Sequence, residues 1–530
     1  MGTILADIRY AFRTLLRNPG LTAVIVLSLG IGIGANSAIF SVVNALLLKP
    51  LPYPQPDRLA VLWLRSPGLG ILQDWPSPGQ YIDIRNQNRV FEEIAISQGR
   101  GMTLTGREQP EHVEVLLTSS NLFHMLGAKP LFGRLLLREE DSPGRPKTAI
   151  LSHATWLRLY NGDRNVLNKS LLLNGELYTI VGVLDPGFVM NHEVMQTIGG
   201  IEKMEIYAAL PLAPDAVSKL RGDENYNLTA RLRPGVTMAQ AQADIAGIAN
   251  RLRISDHRSP TFTISVVSLA EQVVGDVRTA ILVLFGSVGF VLAIACANVA
   301  NLLLSRAAVR EKEMAIRAAL GAGWARLVRQ LFIESALTGL LGGVLGLVIA
   351  FAGLRVVHAI KPGNIPRLDT IAIDPMVLAF TFGASLLTSI VCCAAPVARA
   401  IRTDVNSSLK AGGRNTSSDG GFSGRRHRLR SLLVVGELAV SLMLLVGAGL
   451  LIRSFGQLQE VRPGFNPEHV LSMKLGRTPN PQFPNSKARQ RLYERVYAKV
   501  RELPGVLNAG GTGVLPFTPS IGWGGINVEG

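Results

Sequence analysis

The chain of 530 residues has three cysteines, eight histidines and no G-x-x-x-x-G-K-[ST] loop. Each shortage removes a class of protein. Cys296, Cys392 and Cys393 all lie inside apolar runs, so no pair is available to staple an exported domain, and such a domain has to hold together by its own core. Without the phosphate loop the chain cannot cradle ATP in the Walker manner. The histidines are scattered and none pairs with cysteine at metal-ligand spacing, which excludes a zinc-ribbon or finger reading. His192-Glu193 lacks the second histidine of a zinc protease, and Ser287 lacks the glycine two residues before it that a nucleophile elbow needs. Glu139, Glu140 and Asp141 read as a solvated turn. The residues give no support for an enzyme.

Charge is also scarce. Only 17% of residues are charged while 48% are hydrophobic, the balance of a membrane protein with a sizeable soluble part. The net charge of +16 would suit a nucleic-acid partner if it were spread over a folded surface, but it is concentrated beside apolar runs. Residues 1–20 carry +2, residues 305–329 carry +4 and residues 399–430 carry +6. That distribution follows the positive-inside bias of cytoplasmic loops. Nucleic acid is not needed to explain it.

Residues 1–20 form an amphipathic interfacial helix, with Ile4, Leu5, Ile8, Phe12, Leu15 and Leu16 on one face and Arg9, Arg13 and Arg17 on another. Residues 21–48 have no charge and are long enough to cross a ~30 Å apolar core, beyond the ~7 to 15 residues of a signal-peptide core. Gly30, Gly32 and Gly34 follow no strand, so they are not a nucleotide loop. Gly30 and Gly34 instead suit close packing against another span.

Residues 49–278 read as a mixed α+β soluble domain. Residues 147–152 and 176–184 look like strands, with Leu177, Thr179 and Val181 opposite Tyr178, Ile180 and Gly182 in the second, and Thr237 with Gln240 forms a capping box ahead of a helix over 237–252. Three further spans follow at 280–304, 331–357 and 376–397. The pairs Gly339, Gly343 and Gly342, Gly346 are small-xxx-small steps that permit close helix approach.

Between the second and third spans lies a charged bridge, residues 305–330. Each of its charges would cost ~2.5 to 3.5 kcal/mol at the centre of a spanning helix, so the bridge is in water. Val309, Ile316 and Leu320 share a helical stripe, Glu313 precedes Arg317 by four residues, and Gly321 sits where a short helix would stop. Such a helix can seat in a groove of a soluble partner, although an ordinary connecting helix has the same spacing. Residues 398–430, rich in Gly, Ser and Arg, make a flexible cytoplasmic linker. A fifth span covers 431–452 with Glu437 inside it, an acid that marks a coupling site or only a tolerated charge. Residues 453–530 repeat the order that follows the first span: Pro463, Phe465, Pro467, Glu468 and Val470 match Leu51, Tyr53, Pro54, Asp57 and Leu59 in sequence. They read as the start of a second, incomplete outer domain.

This order of parts resembles the MacB and FtsX type of ABC transporter permease. In the outer domain the resemblance is carried by Asn121-Leu122-Phe123, Leu126-Gly127, Gly133-Arg134, Leu151-Ser152 with Trp156, Asn174-Gly175, Val181-Gly182-Val183 and the run from Arg233 to Thr237. In the bridge it is carried by the run from Arg310 to Ala322. The linker and fifth span are similar to the junction of the duplicated, acidobacterial-type permeases, here shortened.

The resemblance implies a helical polytopic inner-membrane protein with a cytoplasmic N-terminus and a MacB-like periplasmic core domain. It further implies an ABC ATPase subunit in trans that supplies ATP and magnesium, no cofactor on this chain, a second permease copy or half, contact with membrane lipid, and room for a periplasmic adaptor. Arg310, Glu311, Glu313, Met314, Ile316, Arg317, Leu320 and Gly321 would be the ATPase-coupling residues, and export or efflux the outcome. Two rivals stay open on the residues alone: a membrane-anchored extracytoplasmic sensor or scaffold, and an inactive permease fragment.

Overall fold

The computed structural model describes residues 2–188, 190, 204–212, 220–256, 258–319, 324–360, 367–402, 423–460, 469–473 and 486–512. The chain divides into two compact units, one of residues 1–49 with 274–462 and one of residues 50–273 with 463–530. In chain order, α1 (Gly2–Leu16) and α2 (Pro19–Val43) come first. A π-helical turn over Asn44–Leu48 ends the first span.

The outer unit follows with β1 (Leu59–Ser66), β2 (Ile71–Asp74), α3 (Pro78–Gln87), β3 (Phe91–Thr105), β4 (Glu111–Thr118), α4 (Asn121–Met125), β5 (Pro130–Gly133) and β6 (Thr148–Leu151). It continues through α5 (His153–Tyr160), β7 (Ser170–Leu173), β8 (Glu176–Leu184), β9 (Ile206–Ala209), β10 (Asn227–Leu232), α6 (Met238–Ser255) and β11 (Thr263–Ser268). The strands make one sheet ordered β11-β1-β10-β3-β4-β9-β6-β8-β5, with β2 beside β1 and β7 bridging β3 and β8. Pairing is antiparallel except for β4 with β9 and β6 with β8. This is the mixed α+β class expected of the domain.

The helices of the outer unit start where capping chemistry dictates. Ser77 and Gln80 form a reciprocal box in front of α3, and Thr237 and Gln240 do the same for α6. Each box satisfies two backbone donors that a helix start leaves orphaned. From α6, Ala241, Ile245, Ile248 and Leu252 are buried, and they join Ile94, Ile96, Leu228 and Ile264 in one core. Burying a leucine or isoleucine contributes about 1.5 to 3 kcal/mol, so this core, with no disulfide, is what holds the outer domain.

The membrane unit contains α8 (Trp324–Ile360), α9 (Pro375–Arg402), α10 (Ser423–Glu460) and, from Val274 onward, the long helix α7 (Leu269–Ala319), while α11 (Ser486–Arg501) belongs to the outer unit. Five helical stretches are long and apolar enough to cross a membrane: Pro19–Leu48, Val277–Leu303, Val328–Ile360, Pro375–Cys393 and Val434–Gln457.

Two features differ from the sequence expectation. The bridge after the second span is not a separate short helix, because α7 runs unbroken from Leu269 through it to Ala319. No glycine or proline occurs between Gly289 and Gly321, so a change from apolar to charged side chains moves the helix into water without stopping it. The 398–430 linker is also helical at both ends, since α9 reaches Arg402 and α10 starts at Ser423. Residues 403–422 lie outside the described residues.

Candidate functional site

Helix α8 is the centre of the membrane unit, and its glycines show why. A Cβ on Gly342 would stand 2.8 Å from Leu29 Cβ, and one on Gly346 would stand 2.9 Å from the Gly34 backbone nitrogen. One on Gly339 or Gly343 would instead run into Ser385 or Ser389 of α9. The two small-xxx-small pairs therefore serve different neighbours, Gly342 and Gly346 facing α2 while Gly339 and Gly343 face α9. From the other side, Gly30 receives Leu345, and Gly34 lies against Gly346 and Ile349. Backbones that approach this closely gain dispersion contacts that bulkier residues would forbid, the main attraction available between helices in lipid.

Polar side chains bind the same spans. Asn36 Nδ2 donates to Gly32 O at 2.8 Å and to Val288 O of α7 at 2.7 Å. Ser37 and Thr381 hydroxyls are 2.8 Å apart across α2 and α9. Cys392 Sγ donates weakly to Cys296 O at 3.7 Å, which leaves these cysteines as small buried packers. Glu334 is buried near the start of the third span. Glu437 is half-buried on α10.

At the outer end, Asp374 ties the first span to the fourth. Its carboxylate accepts from Lys49 Nζ at 2.7 Å, Asn44 Nδ2 at 2.8 Å and the Val377 backbone N–H at 2.9 Å. Burial alone would raise its pKa, but the Lys49 hydrogen bond and charge, the Val377 N–H and Asn44 together hold it below the ordinary aspartate range. At the inner end, Asp7 of α1 meets Arg329 at the start of α8, with Nη2 at 2.7 Å and Nε at 3.0 Å. Spacing could not reveal either latch, because the partners are more than 300 residues apart in sequence.

The residues expected to couple to an ATPase fall in two groups. Arg310, Glu311, Glu313, Met314, Ile316 and Arg317 lie on the α7 backbone beyond its apolar stretch. Leu320 and Gly321 lie outside the described residues, as do His192 and Glu193. Among the described residues there is no group of three or more His, Cys, Asp or Glu able to hold a metal. Among the described residues the arrangement holds helices together through glycine seams, hydroxyl and amide hydrogen bonds and two ion pairs.

Residues 22–248 match the MacB-like periplasmic core domain, and residues 285–405 match the FtsX-like permease C-terminal region. The class is thus a polytopic helical membrane permease with an extracytoplasmic core domain, placed in the inner membrane with that domain on the periplasmic side. The chain belongs to the MacB/FtsX-type ABC transporter permease family.

It is similar to the macrolide export ATP-binding/permease protein MacB of Hahella chejuensis, at 23% identity over 70% of this chain and 52% of that protein. It is likewise similar to MacB 1 of Yersinia pestis, at 24% identity over 72% of this chain and 56% of that protein. The chain therefore spans about half the length of these curated relatives. Among solved structures, the periplasmic region of MacB from Actinobacillus actinomycetemcomitans aligns at 12% identity and a TM-score of 0.31, covering 42% of this chain and 92% of that one. The extracellular domain of the transporter YknZ from Gram-positive bacteria aligns at 14% and 0.29, covering 39% and 98%.

Proposed function

We propose that this chain is the permease subunit of an ABC transporter, receiving the motion of a separate ATPase in the cytoplasm and passing it to the periplasmic core domain for export or efflux. One observation carries the reading. Helix α7 begins at Leu269, directly after strand β11 of the outer domain, and continues to Ala319. At 1.5 Å per residue such a helix is about 76 Å long, more than twice the ~30 Å apolar thickness of a bilayer. Within the membrane unit the helix carries the second span into the charged stretch with no glycine or proline after Gly289, so displacement of that stretch reaches the span along continuous helix.

Arg310, Glu311, Glu313, Met314, Ile316, Arg317, Leu320 and Gly321 are the docking residues in this reading. The ATPase binds ATP and magnesium, and this chain holds neither. The close glycine seams let α2, α8 and α9 move together rather than deform, which transmission between two states requires. The relatives' names join ATP binding to permease function, which supports an ATPase as the partner. Pairing with a second copy or half, and contact with a periplasmic adaptor, belong to the same proposal.

The finer assignment, to the duplicated acidobacterial-type permeases, rests on the fifth span in α10. It is followed, as the first span is, by residues grouped with the outer unit. In that reading α10 opens a second half.

The test is recovery of a Walker-containing ATPase with the full chain from its native membrane in mild detergent. Leu320→Asp is expected to abolish that recovery while membrane insertion stays intact. Association unchanged by Leu320→Asp removes the docking assignment. No ATPase with the unaltered chain, under conditions that preserve other membrane complexes, removes the transporter reading.

A further inference from the structure

The cytoplasmic helix α1 has a surface divided into three sectors. Asp7, Ala11, Thr14 and Leu15 are buried against the membrane unit. Leu5, Ile8, Phe12 and Leu16 form a second sector and are 71%, 45%, 52% and 65% exposed, too much apolar area on one short helix to be left in water. Arg9, Arg13 and Arg17 are exposed and form the third. At 100° per residue the arginine sector directly adjoins the apolar one. The only acid in α1, Asp7, is on the buried side and neutralised by Arg329. Apart from half-buried Tyr10, the described side chains that α1 presents outward are thus basic and apolar.

We infer that this outer face of α1 binds anionic phospholipid of the cytoplasmic leaflet, Arg9, Arg13 and Arg17 engaging headgroup phosphates while Leu5, Ile8, Phe12 and Leu16 enter the acyl boundary. Charge complementarity selects the occupant. Three arginines with no acid beside them meet a surface of negative potential, and the adjacent apolar sector matches the boundary beneath those headgroups. A nucleic acid would satisfy the arginines and leave the apolar sector in water. The ion pair to Arg329 then fixes the lipid-bound helix to the start of α8, so α1 is a cytoplasmic anchor for the helix at the centre of the bundle. The inference does not depend on ATPase coupling.

The test uses the full chain in nanodiscs with a bimane fluorophore on Ala6→Cys, an exposed position in the arginine sector. The native cysteines are buried and do not compete for the label. Phosphatidylcholine discs receive about 20 mol% of a chain-brominated lipid, either phosphatidylglycerol or phosphatidylcholine, and quenching is compared. Brominated phosphatidylglycerol is expected to quench at least about twofold more, with the excess shrinking at high salt as screening shortens. In Arg9→Gln/Arg13→Gln/Arg17→Gln the two lipids are expected to quench equally. Equal quenching in the unaltered arginine background overturns the inference without reference to the triple variant and leaves the arginines to an acidic protein partner. An anionic preference that survives the triple variant overturns it as well, since the lipid is then held by other residues.

Discussion

Gly34→Ala offers the sharpest test of how the membrane unit is held. A helical glycine replaced by alanine normally gains about 0.8 to 1 kcal/mol, because alanine loses less backbone entropy on ordering. At Gly34 the new Cβ would lie 2.8 Å from Gly346 O, 3.1 Å from Gly346 Cα and 3.0 Å from Ile349 Cβ. Two of those atoms belong to backbone and cannot rotate away. The only relief is separation of α2 from α8 by several tenths of an ångström, and that also loosens Gly30 against Leu345 and Gly342 against Leu29. Overpacking of this kind costs about 1 to 3 kcal/mol, with further loss of dispersion along the seam. The clash exceeds the propensity gain, so Gly34→Ala should destabilise the bundle by about 1 kcal/mol and Gly34→Val by more.

The internal control is Gly353→Ala. Gly353 lies on α8 as well, but a Cβ there meets nothing within 4 Å, so the substitution should be neutral or stabilising by up to about 1 kcal/mol. The assay is unfolding of the full chain in mixed micelles of rising SDS fraction, followed by circular dichroism, with midpoints compared among the three proteins. Gly346→Ala should mirror Gly34→Ala, because its Cβ would stand 2.9 Å from Gly34 N and 3.1 Å from Gly30 O. If Gly34→Ala and Gly353→Ala share a midpoint, the close α2–α8 seam is not what holds these spans, and the rigid-bundle argument fails with it.

Two further perturbations probe other parts of the molecule. Asp374→Asn removes the charge that Lys49 and Asn44 share at the outer end of the spans; with Lys49 partly exposed the loss should be about 1 kcal/mol at neutral pH. Because the folded-state pKa of Asp374 is lowered, its contribution is present above the ordinary aspartate value of about 3.9 and is lost as pH falls through the folded value. Acid destabilisation of the bundle should accordingly be shallower in Asp374→Asn, and a parallel pH profile would refute the assignment. Thr237→Ala removes the α6 cap and should cost the outer domain about 1 kcal/mol, read as a lower denaturation midpoint; no shift would mean the Gln240 side chain alone satisfies that helix start.

Much of this architecture can be read before the fold is known, and the boundary between legible and illegible is physical. Local chemistry is legible. The capping box at Thr237 and Gln240 places the start of α6 because the residues that satisfy one another are three apart, and the strand β8 follows from alternation within a few residues. The glycine pairs of α8 announce close approach, but not to whom. Gly339 to Gly342 is a step of three, about 60° short of a full turn on the helix, and that small rotation sends one pair to α9 and the other to α2. Which helix stands on each side is a property of the assembled bundle.

The charged bridge teaches the complementary lesson about helix ends. A sudden run of arginine and glutamate marks where a span leaves the bilayer, and it is easy to take the same point for the end of the helix. The two events have different causes: solvation changes with side-chain polarity, whereas helices end where the backbone meets glycine, proline or a cap. Between Gly289 and Gly321 there is none of the first two, and α7 passes through the change of solvent intact. The latches Asp7–Arg329 and Asp374–Lys49 carry no such signal, since an ion pair across more than 300 residues leaves no spacing to read. They lie at opposite ends of the same spans, one tying α1 to α8 and the other tying the end of the first span to α9. Charged residues whose pairing leaves no signal in the sequence are thus used in the fold to clamp the bundle at both ends of its spans.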